Sequence, residues 1–213
     1  MTLKSFKPVP FLLDPSCVLY IDLSKHDGSS FISDDAYGHL ATVTGATWGI
    51  QSRTFNGTSD YIDIANIAAF PSGSSARTAE VWLNTTDLTA GTFRTSFGYG
   101  ADVASQRFTI SHNPAATGGE VYVGIYGENV LSGYVLSLNT WTFILVTMTG
   151  QTFQFFINGS LYSTVNSVAT PNTVLTDSAV GRFSGLGYYE KGTIGEVRLY
   201  SRVLTAGEAQ NNY

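Results

Sequence analysis

Cleavage of a glycosidic bond needs two carboxyl groups flanking the bond, one as acid and one as nucleophile or base. A β-strand supplies both on one face only at even spacing, because successive side chains point to opposite faces. No Glu-x-Asp-x-x-x-Glu-like run occurs in the 213 residues. Glu80 and Glu196 each stand alone, and Asp60 and Asp63 are three apart, so on a regular strand they face opposite ways. His26, His39 and His112 are widely separated and lack metal-ligand spacing. Each is read as a polar loop residue. No Gly-x-Ser-x-Gly elbow is present. The single cysteine, Cys17, lies in the apolar run Cys17-Val18-Leu19-Tyr20-Ile21, which suits a buried thiol rather than a nucleophile. Catalysis is therefore not expected. Gly98-Tyr99-Gly100 and Gly185-Leu186-Gly187 do not open helices and read as turns, not phosphate loops.

What remains is recognition chemistry. Tyr188 and Tyr189 are adjacent in a glycine-rich loop, 185–192, and Tyr99, Tyr126 and Tyr134 lie near other turns. An exposed tyrosine ring can stack on a sugar or anchor a protein interface. The competing reading is packing over a sheet edge.

The elements that must position these residues are strands. Short runs rich in Val, Ile, Thr, Tyr and Phe recur between Gly, Asn, Asp and Ser. Strands are expected at 18–23, 61–64, 78–83, 107–111, 120–126, 140–149, 152–157, 161–165, 178–181 and 192–200. Asn158-Gly159 between two such runs predicts a type I′ hairpin, which needs positive φ at both positions. A second hairpin is expected at Gly150-Gln151. Thr205-x-x-Glu208 has capping-box spacing and predicts one short C-terminal helix. With no linker or repeat, the expectation is an all-β, two-sheet antiparallel β-sandwich over residues 16–213, preceded by an extended arm at residues 1–15.

Composition narrows the partners. Charged residues are 13% of the chain, roughly half the usual share, and the net charge is −5. That charge offers no footprint for nucleic acid or an anionic membrane surface. No apolar run is long enough to span a bilayer, and residues 1–8 do not read as a signal peptide.

Seven segments then occur in a recognisable order: Val18–Leu23, Gly45–Gly49, Phe55–Ile64, Ala79–Leu83, Asn139–Trp141, Phe156–Gly159 and Gly192–Thr205. Together they resemble the laminin-G-like branch of the concanavalin-A-like jelly-roll superfamily. The resemblance implies two curved sheets of six or seven strands each. It also implies binding of glycans, proteins or lipid head groups, often with calcium. Asp60 would then be the leading calcium ligand, with Asp102 and Glu120 as further oxygens. Two departures weigh against that site, Gly195 where the family carries Asp and Ser59 where it often carries an acid. Asp60 also reads as an ordinary turn former.

The expected function is a non-catalytic surface module that binds carbohydrate or protein. Asp60, Tyr99, Tyr126, Tyr188 and Tyr189 are the candidate ligand residues. The setting is extracellular or the surface of a virion. The alternative is a structural virion subunit acting through neighbouring subunits, with residues 1–15 as its docking arm.

Overall fold

A computed structural model describes residues 14–183 and 187–213. The expected arm (all but residues 14 and 15) and the pair Gly185-Leu186 lie outside the described residues. The described chain runs β1 (Cys17–Asp22), β2 (Ser30–Ile32), β3 (Leu40–Thr44), β4 (Thr47–Gly49), β5 (Ser52–Asn56) and β6 (Tyr61–Ile64). Next come β7 (Arg77–Thr85), β8 (Arg94–Gly100), β9 (Arg107–His112), β10 (Glu120–Gly124) and β11 (Asn129–Val135). The series ends with β12 (Thr142–Thr149), β13 (Thr152–Ile157), β14 (Ser160–Asn166), β15 (Ser178–Val180), β16 (Lys191–Tyr200) and α1 (Ala206–Asn212).

These strands form two antiparallel sheets of eight strands each, rather than six or seven. The first has the order β14-β13-β12-β7-β16-β5-β4, with β1 on the far half of β16. The second has the order β11-β10-β9-β8-β15-β6-β3-β2. Between them lies one apolar core that includes Val81, Phe97, Tyr99, Phe108, Val146, Phe155 and Val197.

The local signals explain the hairpins. Asn158 and Gly159 have φ of 50° and 80°, and the Asn158 side chain accepts a hydrogen bond from the Phe143 N–H at 3.0 Å. The capping box at α1 is formed in both directions between Thr205 and Glu208. Gly98-Tyr99-Gly100 is not a turn but the end of strand β8. Glycine is needed at 98 because a Cβ there would lie 2.7 Å from Thr109 Cγ2 on the neighbouring strand.

The outer face of the first sheet is also closed. Leu204 and Ala209 pack on Tyr20, Phe143, Leu145, Phe156 and Tyr200. Cys17 joins this layer, and burial pushes its thiol up to about 12. That is the inert thiol the sequence suggests.

Beside this layer sits a buried charge cluster. Arg198 bonds Glu80 at 2.7 Å and pairs with Glu196 on its own strand, while Asn212 of α1 donates to Glu80 at 3.0 Å. Burial, reinforced by Glu80 and Asp22 against the pull of Arg198, raises Glu196 to about 7 from its ordinary 4.5. A carboxyl group raised in the folded state stabilises fully at low pH and loses that contribution as pH climbs. Folding stability is therefore expected to fall between about pH 4.5 and 7, by at most about 3–4 kcal/mol at ~1.4 kcal/mol per pH unit. Glu196→Gln should flatten that slope in urea melts collected across the window. An unchanged slope would show that another group carries it.

Candidate ligand-binding face

Alternation fixes which side chains leave the core of the second sheet. Ile62 and Ile64 of β6 point inward, so Tyr61 and Asp63 point outward. On β9, Phe108 and Ile110 point inward, so Arg107, Thr109 and Ser111 line the outer face. Between those strands the outward positions are small, Gly98 and Gly100 on β8 and Ala179 on β15. Residues 181–183, of the segment that follows β15, lie on this shallow floor. Phe183 is buried under the Arg107 guanidinium, 5.2 Å from the ring centroid.

The segment also brings charges and rings together. Arg182 lies 4.1 Å over the Tyr61 ring, pairs with Asp63 and stands 3.9 Å from Asp177. Arg107 pairs with Asp102 at 3.0 Å and lies 5.3 Å over Tyr126. Tyr189 forms a bridge to Thr95 and sets its ring 6.3 Å from Tyr61. Tyr188 packs on Phe93 at 5.0 Å. Arg94 anchors the end of the segment, donating to the Tyr189 carbonyl at 2.8 Å, to the Gly57 carbonyl at 2.7 Å and to Asp87. Behind it, the fully buried Glu190 accepts from Ser96 and contacts His112 at 3.0 Å. Burial alone would raise Glu190, but His112 and three hydrogen bonds outweigh it and hold the carboxyl below its usual range.

Exposure sorts this face into two layers. The Asp63, Asp177 and Asp102 side chains are 46, 31 and 30% exposed, whereas Arg182 and Arg107 are 15 and 9% exposed. The guanidiniums thus lie beneath, and the carboxylate oxygens open outward. Tyr126 is 39% exposed, and Tyr61, Tyr188 and Tyr189 are half-buried.

The structure places three expected ligand residues here, Tyr126, Tyr188 and Tyr189. It places two elsewhere. Tyr99 is fully buried in the core and hydrogen-bonded to Arg77 and the Pro71 carbonyl, so its ring is closed to any ligand. Alternation on β8 forces that, since Tyr99 shares the inward face with Phe97. Asp60 is buried in the turn before β6, where it accepts from the Asn56 N–H at 3.0 Å and faces Gly45. That is the turn-forming role. His112 is not a loop residue but the last residue of β9, and His39, in the loop before β3, is buried and bonds the Val18 carbonyl at 2.7 Å.

Calcium wants about six to eight oxygens around one point. Asp60, Asp102 and Glu120 do not provide that. Asp102 is at the β8 end of the face and held by Arg107. Glu120, on β10, accepts from the Gly133 N–H at 3.0 Å. Val121 of β10 pairs through His112 with Arg94, which sets Glu120 at the opposite end of the sheet from Asp102. No cluster of three or more His, Cys, Asp or Glu suited to a metal exists among the described residues. The residues do not fit a calcium site.

The sequence reading missed Tyr61, Asp63, Arg107, Asp177 and Arg182. Outward alternation beside inward apolar residues marks Tyr61, Asp63 and Arg107. Nothing local marks Arg182, whose partners lie on other strands.

Two stacked antiparallel sheets around one apolar core define a jelly-roll β-sandwich. Residues 56–210 match the sequence model of the concanavalin A-like lectin/glucanases superfamily, and the chain belongs to that family. No curated protein matches the chain. Among solved structures it is similar to domain 4 of AbnA, an extracellular arabinanase from Geobacillus stearothermophilus, in complex with arabinotriose. The identity is 16% and the TM-score 0.69, over 92% of this chain and 97% of that one. It is also similar to Trypanosoma rangeli sialidase in complex with sialic acid, with 17% identity and a TM-score of 0.64. The match covers 92% of this chain and 32% of the sialidase. The serotype G botulinum neurotoxin binding domain is similar at 15% identity and a TM-score of 0.66, over 92% and 50%. The chain thus spans about a third of the sialidase and half of the toxin domain. At these identities the likeness establishes the fold. No helix among the described residues is long and apolar enough to cross a membrane.

Proposed function

We propose that this chain is a non-catalytic carbohydrate-binding module, working outside the cell, that takes a saccharide on the outer face of its second sheet. The observation that carries this is the presence on one face of three tyrosine rings, Tyr126, Tyr188 and Tyr189, with outward carboxylates held on guanidiniums. Rings cover the apolar face of a sugar, and fixed polar groups take its hydroxyls. The likeness to an arabinanase domain solved with arabinotriose supports the reading. So does the state of the other acids. Glu80 and Glu196 share Arg198 in a buried cluster on the opposite sheet, away from the open face. The acids that do lie on the face, Asp63, Asp177 and Asp102, are tied to Arg182 and Arg107, whereas a glycosidase needs a carboxyl group able to give up a proton beside the sugar.

Immobilised-glycan screening of the folded chain, followed by calorimetry, tests the proposal. Tyr126→Ala and Tyr189→Ala should each weaken binding about tenfold, the ~1.4 kcal/mol expected of a ring in a binding hot spot. Unchanged affinity in both variants would move the site off this face.

A second reading has its own observation. Leu161 and Tyr162 on edge strand β14 and Leu131 and Val135 on edge strand β11 are exposed side by side, where Tyr162 bonds the Gly133 carbonyl. Such an apolar strip suits protein contact. The face described above is the better formed of the two.

A further inference from the structure

We infer that the ligand of this face is an uncharged, hydroxyl-rich saccharide and that its binding uses no calcium, the cationic role being filled by Arg182 and Arg107. This inference rests on the carbohydrate reading and specifies it.

The ion pairs carry the argument. Asp63 on β6 and Asp177, the residue just before β15, meet on one guanidinium, that of Arg182. Asp102 meets Arg107 in the same way. A divalent ion placed between Asp63 and Asp177 would collide with Arg182, which already neutralises them and is fixed from below by the Tyr61 ring. The remaining acids near the face are committed as well: Asp60 to its own turn, and Asp87 to Arg94 at 2.9 Å. Metal coordination thus has no free carboxylates to recruit among the described residues of this face.

The layering selects the ligand. Three carboxylates and two guanidiniums leave the described face with one excess negative charge, and the acids are the outward members. An anionic sugar would meet carboxylate oxygens first, at a distance where like charges repel. A neutral sugar offers hydroxyl donors, which those oxygens accept as charge-assisted hydrogen bonds. The tyrosine rings add a surface for its C–H faces. Tethered guanidiniums cannot be removed by a chelator, so affinity should be indifferent to one.

Calorimetry on the full chain separates the outcomes. The probes are neutral trisaccharides (arabinotriose, xylotriose, cellotriose and maltotriose) and acidic ones (trigalacturonate and sialyllactose). Each is titrated with calcium and with EGTA, and thermal melts confirm that the sample is folded. The inference predicts that at least one neutral probe binds and that EGTA changes its affinity less than about twofold, a shift under ~0.4 kcal/mol. It also predicts that the acidic probes bind at least about tenfold more weakly than that neutral one, a gap of ~1.4 kcal/mol. Binding that is lost in EGTA, or that favours an acidic probe, overturns the inference and leaves the carbohydrate reading standing. A folded sample that binds none of the six overturns that reading and the inference with it.

Discussion

Arg198→Leu is expected to destabilise the fold by about 3–5 kcal/mol, the usual cost of removing one partner of a buried ion pair. Arg198 is buried, and it bonds Glu80 at 2.7 Å and pairs with Glu196. Without it two buried carboxylates remain with no cation between them. One of them, Glu196, already sits near 7 with Arg198 present, so it would take up a proton in the variant. Glu80 would be left with Asn212 as its donor. For a domain of this size the loss corresponds to roughly 6–20 °C in thermal midpoint. The paired variant Arg198→Leu with Glu80→Leu should recover part of the loss, because it removes charge and counter-charge together. Calorimetric melts at neutral pH read both. A single variant within about 1 kcal/mol of the parent would mean that solvent reaches the cluster and screens it.

The second large effect joins stability to recognition. Arg94→Met removes hydrogen bonds to the Gly57 carbonyl, the Tyr189 carbonyl and Asp87 in one step. The expected loss is about 2–4 kcal/mol, from two part-buried carbonyls that lose this donor and from Asp87, which loses its cation. Asp87 adds a pH signature. Burial tends to raise it, but hydrogen bonds from Thr89 and Arg94 prevail and bring it to about 2. A depressed carboxyl stabilises above its ordinary 3.8 and loses that contribution as pH falls toward 2. In Arg94→Met the acid-side fall should be shallower, since much of that contribution is gone at every pH. Saccharide affinity should drop about tenfold or more, ~1.4 kcal/mol, because Tyr189 and the turn leading into Tyr61 lose a common anchor. Arg94→Lys should restore little, since one ammonium cannot span three acceptors in different directions. Parent-like affinity in a folded Arg94→Met sample would detach the tyrosines from the site.

How much of this the sequence reveals depends on the range of the interaction. Tyr61–Ile64, the Asn158-Gly159 hairpin and the Thr205–Glu208 cap are set by residues within a few positions of one another, and the structure keeps all three. Strand β8 is legible only once its neighbour is known, because Gly98 answers to Thr109 across the sheet rather than to a turn. The short strands β2 to β5 lack an apolar run long enough to announce themselves. The site follows the same rule. Tyr126, Tyr188 and Tyr189 stand out as aromatics near glycines, and they do reach the face. Arg182 acquires its meaning from Asp63, 119 residues earlier. Glu80 and Glu196 stand alone in the chain, yet the register pairs Glu80 with Arg198 and Trp82 with Glu196. Tyr99 misleads because a glycine on each side mimics a loop, while strand alternation buries it. The expectation of a virion subunit leans on residues 1–15, of which 1–13 are outside the described residues, and no comparison bears on it.

Mapping amide chemical-shift changes while a neutral trisaccharide is titrated into the labelled chain puts the account to its most direct test. The predicted result is a saturable set of changes centred on Tyr61, Asp63, Asp102, Tyr126, Tyr188 and Tyr189, with the helix side of the first sheet unmoved. Changes centred instead on α1, or along β11 and β14, would contradict it.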